Sequence, residues 1–248
     1  MQQETPAADD STVRPVTPSA PVPYDVVPFS GIRRRTAAHM VLSKATAPHT
    51  LCAIEADYAA VDRVRKAARL SYLPFTAQAV TIALREFPQL NASVVGDALH
   101  VHQRVNLGIA VDLGAAGLVV PVIHDIGDLK VTEIAGRVAD LADRARRKKL
   151  TLDDVADGTF TVTNPGPFGT LVSAPIINQP QVAILATDGI RKRPVVLDVP
   201  GTGEVIAIRP VGTLSLSFDH RAVDGAYAAG FIHRVKVILE TTDWKARL

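Results

Sequence analysis

The segment TLCAIEADYAAV, from Thr50, alternates apolar and polar positions through Leu51, Ala53 and Glu55, as a half-buried strand does. Before it, GIRRRTAAHMVLSKA places Ile32, Ala37 and Met40 on one side of a helix that Pro48 ends. After it, Tyr58 to Leu70 reads as helical, and Pro74 to Phe87 (PFTAQAVTIALREF) as a strongly apolar helix stopped by Pro88. Leu99 to His102 and Val105 to Val111 read as paired strands. Gly117 to Ile123 reads as a strand whose proline puts it at an edge or an irregular position. Thr132 to Lys149 is a long amphipathic helix. Thr159 to Thr163, Val182 to Ala186, Val205 to Pro210 and Thr213 to Phe218 read as strands, and Ala222 to Thr241 as the last helix. The order predicts an α+β fold with a large mixed sheet, not a regular βαβ winding.

A length of 248 residues fits one large domain or two small ones. Residues 1–28 are rich in Pro, Ala, Ser and Thr and read as a flexible linker or tail, leaving 29–248 as the globular unit. A net charge of +2 gives no field that would draw nucleic acid or an anionic membrane. The basic run RARRKK suits the C-terminal turn of its helix, which is a plainer reading than a nucleic-acid patch. The single cysteine, Cys52, excludes an internal disulfide framework and a Cys-based zinc site. No run of about 18 apolar residues occurs, and the N-terminus does not read as a secretory signal. A reducing, cytoplasmic setting is expected.

There is no GxGxxG, P-loop, HExxH or GxSxG. His100 and His102 share a strand face, but no third metal ligand is visible nearby, so no metal is expected. One segment concentrates polar chemistry where a strand meets a helix: Ser215-Leu-Ser-Phe-Asp219-His220-Arg221-Ala222-Val223-Asp224-Gly225. There His220 is either a general base or a structural histidine paired with Asp219 or Asp224. A second segment, Thr161-Val-Thr163-Asn164-Pro165-Gly166-Pro167-Phe168-Gly169-Thr170, runs from a strand into a Gly/Pro turn. Its hydroxyls either face a reacting centre or cap the turn.

DHRAVDG resembles the DHRxxDG signature of the catalytic domain of 2-oxo acid dehydrogenase acyltransferases, the E2 components, which share a fold with chloramphenicol acetyltransferase. SGIRRRTAAHM, PFTAQAVTIALREFPQLNAS, NLGIAVD, GLVVPVI, GTFTVTNPGPFGT, PIINQPQVAIL and IRKRP resemble further family segments, in order, from Val27 to the C-terminus. The resemblance implies a chloramphenicol acetyltransferase-like sandwich of a mixed sheet with flanking helices, and a homotrimer with active sites between subunits. It implies a coenzyme A thioester as co-substrate and no metal. It casts His220 as general base, Thr163 as the hydroxyl that hydrogen-bonds the oxyanion, and Asp224 as a group orienting the loop or the imidazole. Asp112, Phe168 and Thr213 are candidate channel residues.

Against the family pattern, no lipoyl or subunit-binding domain, and so no lipoyl attachment site, is found in this sequence. Leu113-Gly114-Ala115-Ala116 replaces a Thr-Pro-Arg-like turn, and Val211, Gly212 and Thr213 stand where Met and Tyr are frequent. The end, Asp243-Trp244-Lys245-Ala246-Arg247-Leu248, offers little apolar surface for docking a neighbouring trimer, which favours a discrete trimer over a larger cage. These departures resemble the stand-alone acetyltransferases of tetronate natural-product pathways. The leading expectation is therefore an acyl-CoA-dependent transfer, with acetyl the expected group, to a hydroxyl of a small-molecule or carrier-bound intermediate. The alternative is the catalytic core of a dihydrolipoamide acyltransferase.

Overall fold

The α3 helix (Leu73–Glu86) shows why the main core forms where it does. Pro74 sits in the first turn, where a missing N–H costs nothing, and ten of its fourteen residues are buried. A computed structural model describes residues 23–114 and 117–248. Most of the expected tail, 1–22, lies outside the described residues; 23–30 are exposed and carry no regular structure. The other helices are α1 (Gly31–Thr46), α2 (Ala59–Arg65), α4 (Val131–Arg146) and α5 (Gly225–Thr241). The strands are β1 (His49–Asp57), β2 (Ala92–Val95), β3 (Ala98–Val101), β4 (Leu107–Ile109), β5 (Val111–Asp112), β6 (Leu118–Val119), β7 (Val122–Ile123), β8 (Phe160–Thr163), β9 (Ala183–Thr187), β10 (Arg191–Val199) and β11 (Gly203–Asp219).

The main sheet runs β1-β11-β9-β8-β4-β7, with β10 paired to the first half of β11. It is mixed: β4, β8 and β9 pair in parallel, and the remaining pairs are antiparallel. Strand alternation separates its two faces. Phe160, Val162, Ala183, Leu185, Leu214, Leu216 and Phe218 join the main core with α3, α4 and α5. Thr161, Thr163, Ser215, Ser217 and Asp219 occupy the alternate positions, so the opposite face is polar although most of it is buried. Trp244 is buried edge-to-face against Phe75, with centroids 5.3 Å apart, and its Nε1–H donates to the Leu239 carbonyl at 3.0 Å.

Four expectations need correction. Val205–Pro210 and Thr213–Phe218 are one strand. β1 ends opposite Val211; beyond it the Tyr58 N–H still donates to the Pro210 carbonyl at 2.8 Å, but no ladder bond of β1 needs the donor that Pro210 lacks, so the proline is tolerated. β10 is a full strand that the sequence reading did not assign; it is half of an exposed ribbon and lacks core-facing alternation. Leu99–His102 does not pair with Val105–Val111. β3 pairs with β2 across Gly96, whose φ of 56° supplies the tight turn. Gly117–Ile123 is interrupted at Pro121 into β6 and β7, and β7 is an edge of the main sheet, as its proline predicts.

Candidate active site

The Asp219–Arg221 turn explains how His220 is presented. Asp219, 1% exposed, ends β11, and both its oxygens are taken by Arg221. Arg221 Nε donates to Oδ1 at 3.0 Å, and Nη2 donates to Oδ2 at 2.6 Å. The turn is held further by the Asp219 N–H donating to the Val182 carbonyl and the His220 N–H to the Pro48 carbonyl. With Asp219 committed to Arg221, the imidazole of His220 projects outward, its side chain 45% exposed. A structural pairing of His220 with Asp219 is therefore ruled out. Asp224 Oδ1 stands 4.0 Å from His220 Nδ1, too long for a direct hydrogen bond, and its side chain is 91% exposed. Asp224 also occupies the N-cap of α5 without a side-chain cap bond.

Thr163 closes β8 on the polar face, half-buried. The Asn164–Ser173 loop follows, with one 3₁₀ turn at Gly166–Phe168 and Gly169 at φ 76°. The loop lies against the end of β9. A Cβ on Gly166 would meet the Asp188 carbonyl at 3.0 Å and the Thr187 carbonyl at 3.1 Å. Thr187 Oγ1 donates to Asn164 Oδ1 at 3.1 Å, and Arg191 Nη2 donates to the Gly169 carbonyl.

Thr163 and His220 do not meet within one chain. Thr163 registers with Ala186, and Ala186 with Ser215, which is five residues short of His220. At about 3.3 Å per residue and about 4.8 Å per strand, the two lie roughly 19 Å apart. β8 and β11 also run in opposite directions, so their C-terminal ends fall at opposite ends of the sheet. A cavity opens at each end. One, 470 Å³, is lined among others by Ser93, His102, Asn106, Gln179 and Gln181, at the end where β8 and β9 begin. The other, 250 Å³, is lined among others by Tyr72, Thr76, Asn164, Thr187 and Asp188, beside Thr163.

The remaining candidates disperse. Asp112 Oδ1 accepts from the Gly114 N–H at 2.9 Å and faces a separate cavity with Arg146 and Lys148. Phe168 is 81% exposed in the loop after Thr163. Thr213 is buried, and its carbonyl accepts from the Asp188 N–H. His102 does not pair with His100. Its Nε2 lies 3.0 Å from Ser93 Oγ, and burial followed by the charge of His100 pushes its pKa down. Among the described residues no group of three metal-ligating side chains occurs, and no helix is long and apolar enough to cross a membrane.

The sequence reading missed Asp188. It is buried, and its carboxylate accepts from Ser173 Oγ at 2.6 Å, Ser173 N–H at 3.1 Å and Ser215 Oγ at 2.9 Å. Burial alone would push its pKa up; the hydroxyls of Ser173, Thr170 and Ser215 more than reverse this, and the carboxyl is held below its usual range. Its one sequence signal is an acidic residue directly after the apolar run VAILAT.

The departures that favoured a hydroxyl acceptor lose their structural footing. Val211 and Thr213 are buried in β11, and a Cβ on Gly212 would meet Ile190 Cγ1 at 2.6 Å, so this stretch is packed core and lines no open channel. Ala115 and Ala116 lie outside the described residues. Trp244 is used in the chain's own core.

Residues 21–245 match the family model of the 2-oxoacid dehydrogenases acyltransferase catalytic domain. The chain is 38% identical over 224 residues to the dihydrolipoyllysine-residue succinyltransferase component of the 2-oxoglutarate dehydrogenase complex of Haemophilus influenzae, covering 86% of this chain and 53% of that one. It thus spans about half the length of the curated relatives it matches. Among solved structures it resembles the Azotobacter vinelandii dihydrolipoamide acetyltransferase, with a TM-score of 0.82 and 32% identity over 90% of this chain and 97% of that one. That enzyme was studied for the roles of a serine, a histidine and an asparagine in its catalytic mechanism. A chloramphenicol acetyltransferase shares the fold at a TM-score of 0.55 and 13% identity, over 86% of this chain and 96% of that one.

Proposed function

Because the chain belongs to the acyltransferase catalytic-domain family of the 2-oxoacid dehydrogenases, we propose that it moves an acyl group between coenzyme A and a dihydrolipoyl thiol. His220 is the general base, Thr163 the oxyanion donor and Asp224 the group that orients the His220 loop. The relatives point to the thiol acceptor, which replaces the small-molecule hydroxyl as the leading reading. They differ in the acyl group named, succinyl in one and acetyl in another, so the family leaves that choice open.

His220 Nε2 takes the proton of the attacking thiol as its sulfur bonds to the thioester carbonyl carbon. The carbonyl electron pair moves onto oxygen, and the Thr163 hydroxyl donates to that oxyanion. One such donor is worth about 3 kcal/mol in the transition state. The tetrahedral intermediate collapses, the C–S bond to the leaving thiol breaks, and the imidazolium returns the proton to it. No acyl-enzyme forms, and much of the rate comes from bringing both thiols to one centre. The serine and histidine of the Azotobacter enzyme correspond in type to Thr163 and His220; its asparagine lies four positions after the histidine, where this chain has the carboxylate of Asp224.

The observation that carries the assembly is the placement of Thr163 and His220 at opposite ends of one sheet. A single chain cannot close this site, whereas a cyclic trimer closes three, each taking His220 from one subunit and Thr163 from the next. Residues 29–248 act as the catalytic unit, and 1–28 as a linker or tail ahead of it. Phe168, in the loop after Thr163, borders the acceptor channel. The test is thiol release and acyl exchange with acetyl-, succinyl- and branched-chain acyl-CoA, offered dihydrolipoamide or a panel of hydroxylated acceptors including a tetronate, with His220→Ala as blank. Turnover with dihydrolipoamide is expected; turnover restricted to a hydroxyl overturns the reading.

A further inference from the structure

Asp188 is a buried carboxylate to which no lysine or arginine donates among the described residues; its donors are hydroxyls and one backbone N–H. Burying a carboxylate without a cation is costly, so its position calls for a reason beyond packing. Its backbone setting is also irregular. Leu214 registers with Thr187 and Val211 with Arg191, so three steps along β11 face four along β9 and β10. The extra residue is a bulge spanning Asp188–Ile190, a device that re-aims a side chain.

We propose that Asp188 is a positioning residue for acyl transfer: its carboxylate clamps the Asn164–Ser173 loop onto β11 and so fixes the Thr163 hydroxyl. The proposal rests on the oxyanion role read for Thr163 above. The clamp spans three elements. Ser173, at the far end of the loop, donates from both N–H and Oγ, while Ser215 donates from the middle of β11. The same bulge holds the loop elsewhere: the Gly189 N–H donates to the Thr170 carbonyl at 2.9 Å, and a Cβ on Gly189 would meet that carbonyl oxygen at 3.0 Å. Thr187, the residue before Asp188, reaches Asn164 Oδ1 at 3.1 Å and lies 3.5 Å from the Thr163 carbonyl oxygen. Thr163 is thus the last residue of a strand whose following loop is anchored at its far end by the Asp188 carboxylate and at Gly169 by Arg191.

The test is a double-mutant cycle in the intact protein, read as kcat and KM for acyl exchange. Asp188→Ala is expected to lower kcat about tenfold with KM within about twofold, because misplacing one reacting group reaches such factors. Asp188→Asn, whose amide oxygen still accepts from Ser173 N–H and Ser215 Oγ, is expected to recover most of that loss. In a Thr163→Ala background the further effect of Asp188→Ala is expected to shrink below about twofold, since coupled sites are not additive. An unchanged kcat for folded Asp188→Ala, or the same factor in both backgrounds, overturns the clamp while leaving the Thr163 reading intact. A Thr163→Ala protein with wild-type kcat overturns the Thr163 reading, and the clamp falls with it. If Asp188→Ala does not fold, Ser173→Ala, which removes only the Oγ link, goes through the same cycle under the same criteria.

Discussion

Arg221 occupies both oxygens of Asp219, and this leaves His220 free of the carboxylate that precedes it in the chain. His220→Ala should lower kcat by about 10³-fold, within the usual range for a general base, with the melting temperature nearly unchanged because the ring is exposed. Thr163→Ala should cost about 10²-fold in kcat with little change in KM, the pattern of a donor used only in the transition state. Steady-state kinetics beside a thermal melt check both. Arg221→Ala should behave differently. It strands a buried carboxylate, so both Tm and kcat should fall, with the destabilisation on the order of 3 kcal/mol. At this scale the sequence was informative wherever polar residues broke a pattern. The density of Asp219, His220, Arg221 and Asp224 marked one turn, and the TVTNPGPFG run marked the other. Asp188 stayed hidden because a single acidic residue after an apolar run looks like an ordinary strand end. The register slip against β11, together with the donors Ser173 and Ser215, shows where its carboxylate is aimed.

Elements were legible where local chemistry set their limits. Pro74 and Pro88 bracket α3, and the alternation of TLSLSF fixes which face of β11 is apolar. Pairing was less legible. Pro210 and Gly212 read as a break between two strands, yet β11 runs through them because the β1 ladder stops at Val211 and asks no N–H of Pro210, whose carbonyl still accepts from Tyr58. The β10 ribbon alternates only between exposed and half-buried positions, with no residue in the core to reveal it. The C-terminal segment was read as a poor anchor for a neighbour, and its one large residue is in fact core. Trp244→Ala should destabilise the protein by about 4 kcal/mol, since it empties a fully buried aromatic site and removes its edge-to-face partner for Phe75. Urea denaturation measures this, and a loss below about 1 kcal/mol would mean the segment packs loosely.

Carboxylates distributed over the molecule set its response to acid. Burial would push Asp62 up, but Tyr72, Lys66 and Arg65 together hold it at about 2; Arg144 and Thr151 hold Asp154 at about 2 as well. Asp188 is shifted in the same direction. Each folded value lies below the unfolded one near 3.8, so the stabilisation is complete above about pH 4 and is lost as pH falls toward 2. Urea midpoints should therefore be flat from pH 7 down to about 4 and drop steeply below it, and the drop should be shallower in Asp154→Asn. The assembly makes its own prediction. Inactive His220→Ala and Thr163→Ala proteins, dissociated together and reassembled in equal amounts, should regain about a quarter of wild-type activity, because each mixed cyclic trimer holds one intact site. No recovery would mean that both groups act from the same chain.

The placement of Thr163 and His220 at opposite ends of the sheet also has a genetic meaning. In the proposed trimer, a gene copy altered only at His220, expressed beside an intact copy, should remove one site per defective subunit, so activity should fall in proportion to dose, to about one half at equal expression. A copy altered at both positions damages the site on each side of itself, and activity falls as the square of the intact fraction, to about one quarter. Two lesions in one copy are therefore partly dominant. The same two lesions carried on separate copies would also leave about one quarter, although neither copy alone would be active.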